Sequence, residues 1–263
     1  MGEGADEITG NMISRTYLKY SWPGRVYRAF FKPAVRAAHR KEVRLYRSIL
    51  GDRVGLVFDI GAYDGHKTAA FLELGARVVA CEPDAANFRL LKLRFRGQKR
   101  VTLLETAVGE REGVAPLLMH HPGSAFNTLN PKWKEMLEAD REARWKEDIE
   151  FSGEGYTVGL TTLDELIRTY GVPDFIKIDV EGYEKQVFDG LHQRVPCISF
   201  ECQLPEFKDD LLAILGRLEG SVFHVVYNEE LVLPEWVGYE RILEWVKETR
   251  LFSFDIVARS TPG

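Results

Sequence analysis

From Leu56 onward, short β-branched runs alternate with stretches whose apolar residues recur at helical spacing. The runs predict strands over 56–60, 77–81, 101–106, 175–179, 197–202, 221–227 and 252–258. Between them the spacing predicts helices over 65–74, 85–96, 163–170, 184–191 and 206–219. Thr162 and Glu165 stand at capping-box separation at the head of the third. Alternation of this kind is the sequence form of a parallel sheet covered by helices. The expected fold is therefore α/β: a Rossmann-like, seven-stranded, mostly parallel sheet with helices on both faces. The last two runs, VFHVVYNEELVLP and LFSFDIVAR, are joined by residues 235–250 without a clear crossover. That ending predicts an antiparallel closing strand at the sheet edge.

Two segments stand outside the alternation. Residues 119–158 are long for a connection and strongly charged, and loops of that length are commonly lids or binding loops. Within them, 131–147 reads as an exposed helix with Trp133, Met136 and Leu137 along one side. The segment is expected to cap a substrate pocket, to meet another subunit, or simply to run in solvent. Residues 1–50 form the second appendage, a basic and aromatic helical segment ahead of a domain over 51–263. Between Arg15 and Arg47 ten basic residues stand against Glu42 alone, in a chain of net charge −5. Tyr17, Tyr20, Trp22, Tyr27, Phe30 and Phe31 are interleaved with them. Such a pattern fits amphipathic helices with their aromatic side packed on the domain and their basic side in water. The alternative is peripheral contact with an anionic membrane surface or an anionic substrate.

Composition narrows the class further. The 45% hydrophobic content is that of an ordinary globular protein. Cys81, Cys197 and Cys202 are odd in number and lack CxxC spacing, which argues against a disulfide framework and against a zinc site. No apolar run approaches the ~20 residues of a membrane span. The opening MGEGADEITG has no apolar signal-peptide core, so a cytoplasmic protein is expected. Oligomeric state is left open.

The richest chemistry lies in VFDIGAYDGHKTAAFLELGARVVACEPD, residues 57–84. A strand, a glycine turn, a helix and a second strand ending on an acid describe a nucleotide-binding unit. The dinucleotide fingerprint needs a middle glycine so that the backbone can approach a pyrophosphate. Here Gly61-Ala62-Tyr63-Asp64-Gly65 has none, and Asp59 and Asp64 bring negative charge to the turn. Asp64 reads either as a cap of the next helix or as a neighbour of the ligand. Either way it opposes phosphates. A sulfonium nucleoside with an ammonium tail removes the conflict, so S-adenosylmethionine is the expected cofactor. Glu82, at the end of the second strand, stands where a carboxylate accepts both ribose hydroxyls.

A second constellation, FIKIDVEGYEKQVFDGL over 175–191, delivers Lys177, Asp179 and Glu181 from an otherwise apolar strand. Buried charges cost several kcal/mol unless paired, so these residues read as chemistry, or for Lys177 as an ion pair that orients the strand. The motifs VFDIGAYDGHKT, ACEPD, ETAVGE, TTLDEL, FIKIDVEGYEKQVFDGL and ISFE together resemble the FkbM family of S-adenosylmethionine-dependent methyltransferases over roughly residues 56–202. The resemblance implies that Asp59, Gly61, Ala62, Tyr63, Gly65 and Thr68 form or support the cofactor turn. It implies that Glu82 and Pro83 lie at the ribose, and Ala107 and Val108 near the adenine. Asp179 and Glu181 would stand beside the methyl group and the acceptor. Tyr63 and Asp64 depart from the small or apolar residues usual in that turn, and residues 119–156 do not align with the family.

The implied reaction is O-methylation of a hydroxyl on a sugar, a glycan or another small metabolite. Candidate catalytic residues are Asp179, Glu181 and Glu201, the last from ISFECQ. One of them would take the hydroxyl proton, or orient the hydroxyl, during in-line attack. Three converging carboxylates could instead hold Mg²⁺, and His120 and His121 could supply a base from the inserted segment. Two other function classes compete: an NAD-dependent oxidoreductase, and a catalytically silent fold that binds partners through its basic end. A nucleic-acid partner is disfavoured, because the Asn-Pro-Pro-aromatic motif used on base amines is absent.

Overall fold

A computed structural model describes residues 33–139, 149–151 and 155–261 of the chain. The described chain opens with helix α1 (Pro33–Leu50), then β1 (Leu56–Ile60), α2 (His66–Glu73), β2 (Arg77–Cys81), α3 (Ala85–Arg94) and β3 (Val101–Leu104). Two short strands follow, β4 (Ala107–Val108) and β5 (Gly113–Leu117), then α4 (Pro131–Ala139) and β6 (Tyr156–Thr161). The second half runs α5 (Leu163–Tyr170), β7 (Phe175–Ile178), α6 (Glu184–Asp189), β8 (Cys197–Gln203) and α7 (Lys208–Arg217). It ends with β9 (Ser221–Tyr227), β10 (Glu230–Leu231), α8 (Tyr239–Glu248) and β11 (Ser253–Ser260).

All seven expected strands form in one sheet, whose order is β10-β9-β11-β8-β7-β1-β2-β3. The sheet has eight strands rather than seven, because the two-residue β10 folds back on β9 as a hairpin. The antiparallel strand is also not at the edge. β11 is the expected antiparallel strand, but it lies between β8 and β9, antiparallel to both, so residues 255–259 are paired along both edges. Helix α8 fills the 235–250 connection that allows it to return. A second, three-stranded sheet, β4-β6-β5, has no counterpart in the sequence-based expectation.

Both faces are covered, which explains why β1 and β7 are buried at every position. Period-2 alternation sends Leu56, Phe58, Ile60, Ile176 and Ile178 to a core shared with α5, α6, α7 and α8. Val57 and Phe175 point the other way, into a core with α1, α2 and α3. Helix α1 belongs to that core: Val43, Leu45, Tyr46 and Ile49 are buried, and Tyr46 packs at a tilt against Phe71 with ring centroids 4.5 Å apart. Its Arg36, Arg40, Arg44 and Arg47 are exposed. For residues 33–50 this matches the packed helix with a solvated basic face; the aromatic residues from Tyr17 to Phe31 lie outside the described residues.

Lys177 sits on the α1 side of β7, opposite Asp59 in the β1 register. Its side chain is fully buried, with Nζ 3.0 Å from Asp255 Oδ1 and 3.5 Å from Asp179 Oδ2. The ion-pair reading of this lysine therefore holds. Breaking a buried pair by deleting one partner costs roughly 3–5 kcal/mol. Because both aspartates keep some solvent access, Lys177→Met is expected at the low end, about 3 kcal/mol by denaturant unfolding.

Candidate active site

β1 is the strand from which the chain builds the sheet outward in both directions: β2 and β3 on one side, β7 and β8 on the other. Ligands of open α/β sheets bind beyond the strand ends at such a switch point. There the Gly61 turn meets the Asp179 turn. A Cβ on Gly61 would stand 1.8 Å from the Asp179 carbonyl oxygen, so the two backbones touch where any other residue would separate them. Between and above these turns lies a cavity of about 330 Å³.

The glycine turn is folded back on β2. Gly61 N and Ala62 N both donate to Cys81 O at 3.0 Å, and Gly65 N donates to Ala62 O at 2.8 Å. Tyr63, held at φ 50°, donates its amide to Glu82 Oε2 at 2.8 Å. Five amides of this stretch are thus spent inside the protein, since His66 N donates to Asp64 Oδ1 at 3.0 Å. Asp64 caps that amide but does not take the N-cap position, which belongs to Gly65. Its carboxylate is held by Arg94 and by the His66 ring, and it is not in the cavity wall.

Of the residues expected at the cofactor turn, Gly61, Ala62, Tyr63, Glu82, Pro83, Ala107, Val108 and Asp179 line the cavity. Asp59, Gly65 and Thr68 stand behind its wall. Thr68 donates its hydroxyl to Asp59, which is buried and raised above the usual carboxylate range by that burial. These residues shape the turn from beneath. Glu82 is buried, accepts a second amide from Asp84 at 2.9 Å, and is pushed up to about 7 by burial. Asn87, also in the wall and buried, has an Oδ1 without a partner among the described residues.

At the other end of the cavity Asp179, Glu181 and Glu201 converge, each offering an oxygen within 4.8 Å of the others. The three differ. Burial works to raise Asp179, but the Lys177 and Lys67 ammoniums outweigh it and hold this carboxylate far below its usual range. Glu201 lies beside Asp179 and accepts the Ser253 hydroxyl at 2.8 Å. Burial, then Asp179 and Asp255, raise it well above the usual range. Glu181, at φ 55° in the turn after β7, is raised too: by burial first, then by Glu201 and Asp179. Among the described residues its carboxylate has no hydrogen-bond partner.

The inserted segment roofs the cavity with Ser124, Ala125, Asn127, Thr128 and Leu129. It is anchored at both ends of the site. Asp84 Oδ1 caps α3, while Oδ2 accepts Gly123 N at 3.1 Å and Asn127 Nδ2 at 2.7 Å. Thr128 donates its hydroxyl to Glu181 O at 2.7 Å, and the Asn130 amide donates to Gly182 O. The expected helix over 131–147 is described only as α4; 140–148 lie outside the described residues. His120 and His121 are not in the cavity wall, and His120 Nδ1 meets Glu150 O at 2.7 Å.

Several wall residues escaped the sequence reading, Asn87, Leu117 and Leu129 among them, and one of them carries charge. Lys67, second residue of α2, reads as ordinary helix surface, yet its Nζ lies 2.8 Å from Asp179 Oδ2. Its only local signal is a cation placed next to a turn that otherwise collects acids.

The sequence model of the Methyltransferase FkbM domain matches residues 59–225. No curated protein sequence matches the chain. Among solved structures, similarity extends to a TehB-like SAM-dependent methyltransferase from Corynebacterium glutamicum at 10% identity, covering 94% of this chain and 100% of that one, TM-score 0.44. The plantazolicin methyltransferase BpumL in complex with SAH is similar at 8% identity, 97% and 100% coverage and TM-score 0.42. The C-terminal domain of precorrin-6Y C5,15-methyltransferase from Rhodobacter capsulatus is similar at 11% identity, 84% and 88% coverage and TM-score 0.42. No helix among the described residues is long and apolar enough to cross a membrane.

Proposed function

The chain belongs to the FkbM methyltransferase family, and on that premise we propose that it transfers the methyl group of S-adenosylmethionine to a hydroxyl of a sugar, a glycan or another small metabolite. The observation that carries the choice of cofactor is the spent turn. A pyrophosphate needs free amides at the head of the helix, and those of Gly61, Ala62, Tyr63, Gly65 and His66 already have acceptors. A nucleoside without phosphates makes no such demand. The donor set fits it: Glu82 keeps lone pairs for a diol, Asn87 Oδ1 lacks a donor, and Ala107, Val108, Leu117 and Leu129 supply apolar wall.

When bound, the sulfonium supplies an electrophilic methyl group and a neutral leaving thioether. The chain's task is then to position the hydroxyl and remove its proton. Glu181 suits the second role: its carboxylate is unengaged in the cavity wall, and burial raises its affinity for the proton it would take. Asp179 is the anion that two lysines keep ionised, and Glu201 lies beside it. The reading needs no Mg²⁺. Two ammoniums already lie against Asp179, which leaves the acid cluster a poor fit for a divalent cation.

Calorimetry with S-adenosylhomocysteine and with NAD separates this reading from an oxidoreductase; binding of NAD alone would overturn it. Turnover of S-adenosylmethionine against a panel of sugars and hydroxylated metabolites separates it from a silent binding fold. A pH effect is also expected. Ribose hydroxyls bind the ionised form of Glu82, whose proton leaves only around pH 7 in the free protein. Affinity for S-adenosylhomocysteine should therefore rise with pH from about 6 to 8, by up to tenfold per unit on the acid side, and then level off. Glu82→Gln should bind at least tenfold more weakly and show no such slope.

A further inference from the structure

Lys67 is the only lysine or arginine among the described residues of a cavity wall that contains Glu82, Asp84, Asp179, Glu181 and Glu201. Its ammonium carries three donors, and among the described residues its single hydrogen bond goes to Asp179. Asp179 does not depend on it, since Lys177 approaches the same Oδ2 from within the sheet. Lys67 is thus a cation with donors to spare, beside the glycine turn, paired to an anion that has another partner.

Resting on the proposed cofactor, we infer that the Lys67–Asp179 pair is the receptor for the cofactor's amino-acid head: Lys67 takes the α-carboxylate and Asp179 the α-ammonium. An ion pair is the natural complement of a zwitterion, because each ligand charge finds its opposite and the total charge of the site does not change. The carboxylate is the one anionic group of S-adenosylmethionine, and in a wall of acids Lys67 is the one place that welcomes it. His66, the other basic residue in the wall, is held between Glu42 and Asp64.

The test compares S-adenosylhomocysteine with 5′-methylthioadenosine, which has the same nucleoside and no amino-acid head. Calorimetry on the whole chain should show Lys67→Met binding S-adenosylhomocysteine at least tenfold more weakly, with 5′-methylthioadenosine affinity kept within about twofold. Lys67→Arg, which retains the charge, should recover most of the loss. Unchanged 5′-methylthioadenosine binding also certifies that the variant is folded. Equal weakening of both ligands, or of neither, overturns the inference. So does a Lys67→Met variant with normal S-adenosylhomocysteine affinity but a raised acceptor KM, which would assign Lys67 to an anionic acceptor. If the wild-type chain binds neither ligand, the cofactor reading itself falls, a result distinct from any of these.

Discussion

Glu181→Gln is expected to lower kcat by about 10²- to 10⁴-fold, the usual contribution of a positioned base, while S-adenosylhomocysteine affinity stays within about twofold. The carboxylate lies at the acceptor end of the cavity and holds up no other side chain, so its loss should be felt in turnover alone. Sign matters for the pH profile. Burial and the neighbouring Glu201 and Asp179 carboxylates raise the proton affinity of Glu181. Its basic form therefore grows as pH increases, and the wild-type rate should climb over a range well above that of an ordinary carboxylate. The variant should lack that limb. Glu201→Gln is the contrast, because a glutamine amide can donate to Asp179; a loss of about tenfold or less is expected. Release of S-adenosylhomocysteine in the presence of a responding acceptor measures all three proteins. A larger loss in Glu201→Gln than in Glu181→Gln would move the base to Glu201.

Gly61→Ala should be the most damaging small substitution in the fold. The added methyl would meet the Asp179 carbonyl oxygen at 1.8 Å, and the residue sits at φ 80°, where alanine is strained. Neither contact can relax cheaply, because the Gly61 amide is bonded to Cys81 O and Asp179 N to Ile60 O. Overpacking and left-handed strain together are expected to cost about 3–5 kcal/mol, a fall in melting temperature of roughly 10 °C. Gly75→Ala isolates the strain alone: it has φ 93° but nothing within 4 Å of an added Cβ, so about 1 kcal/mol is expected. Parallel thermal unfolding of the two variants decides the point. Similar losses would mean that the close approach of the two turns contributes little.

Much of the frame was legible because period and burial agree. β1, β2 and β9 form over the expected residues, as does α5, whose Thr162 side chain accepts the Glu165 amide. What escaped the reading depends on pairing across long separations. The position of β11 between β8 and β9 is a matter of strand order, which local alternation does not encode. β4 has two residues and β5 carries Pro116, so neither shows a strand-like run. In the site, the acids and glycines announced themselves through motif spacing. Lys67 did not, because only the fold brings it to an aspartate 112 positions away. Asp64 was misleading for the same reason: Arg94, thirty positions on, turns it from the cavity.

Asp84 holds two elements at once. One oxygen of this carboxylate starts α3, and the other grips the Gly123 amide and the Asn127 side chain of the roof. The roof's far end hangs from the backbone of Glu181 and Gly182. The roof is thereby a detachable part with standard fittings. A replacement of different length or chemistry has to supply two donors for Asp84 and a Thr–x–Asn pair for the opposite turn, besides the Leu118–Thr128 bridge. Because Leu129 of the roof lines the same cavity as Ala107, Val108 and Leu117, a replacement must also keep an apolar residue there.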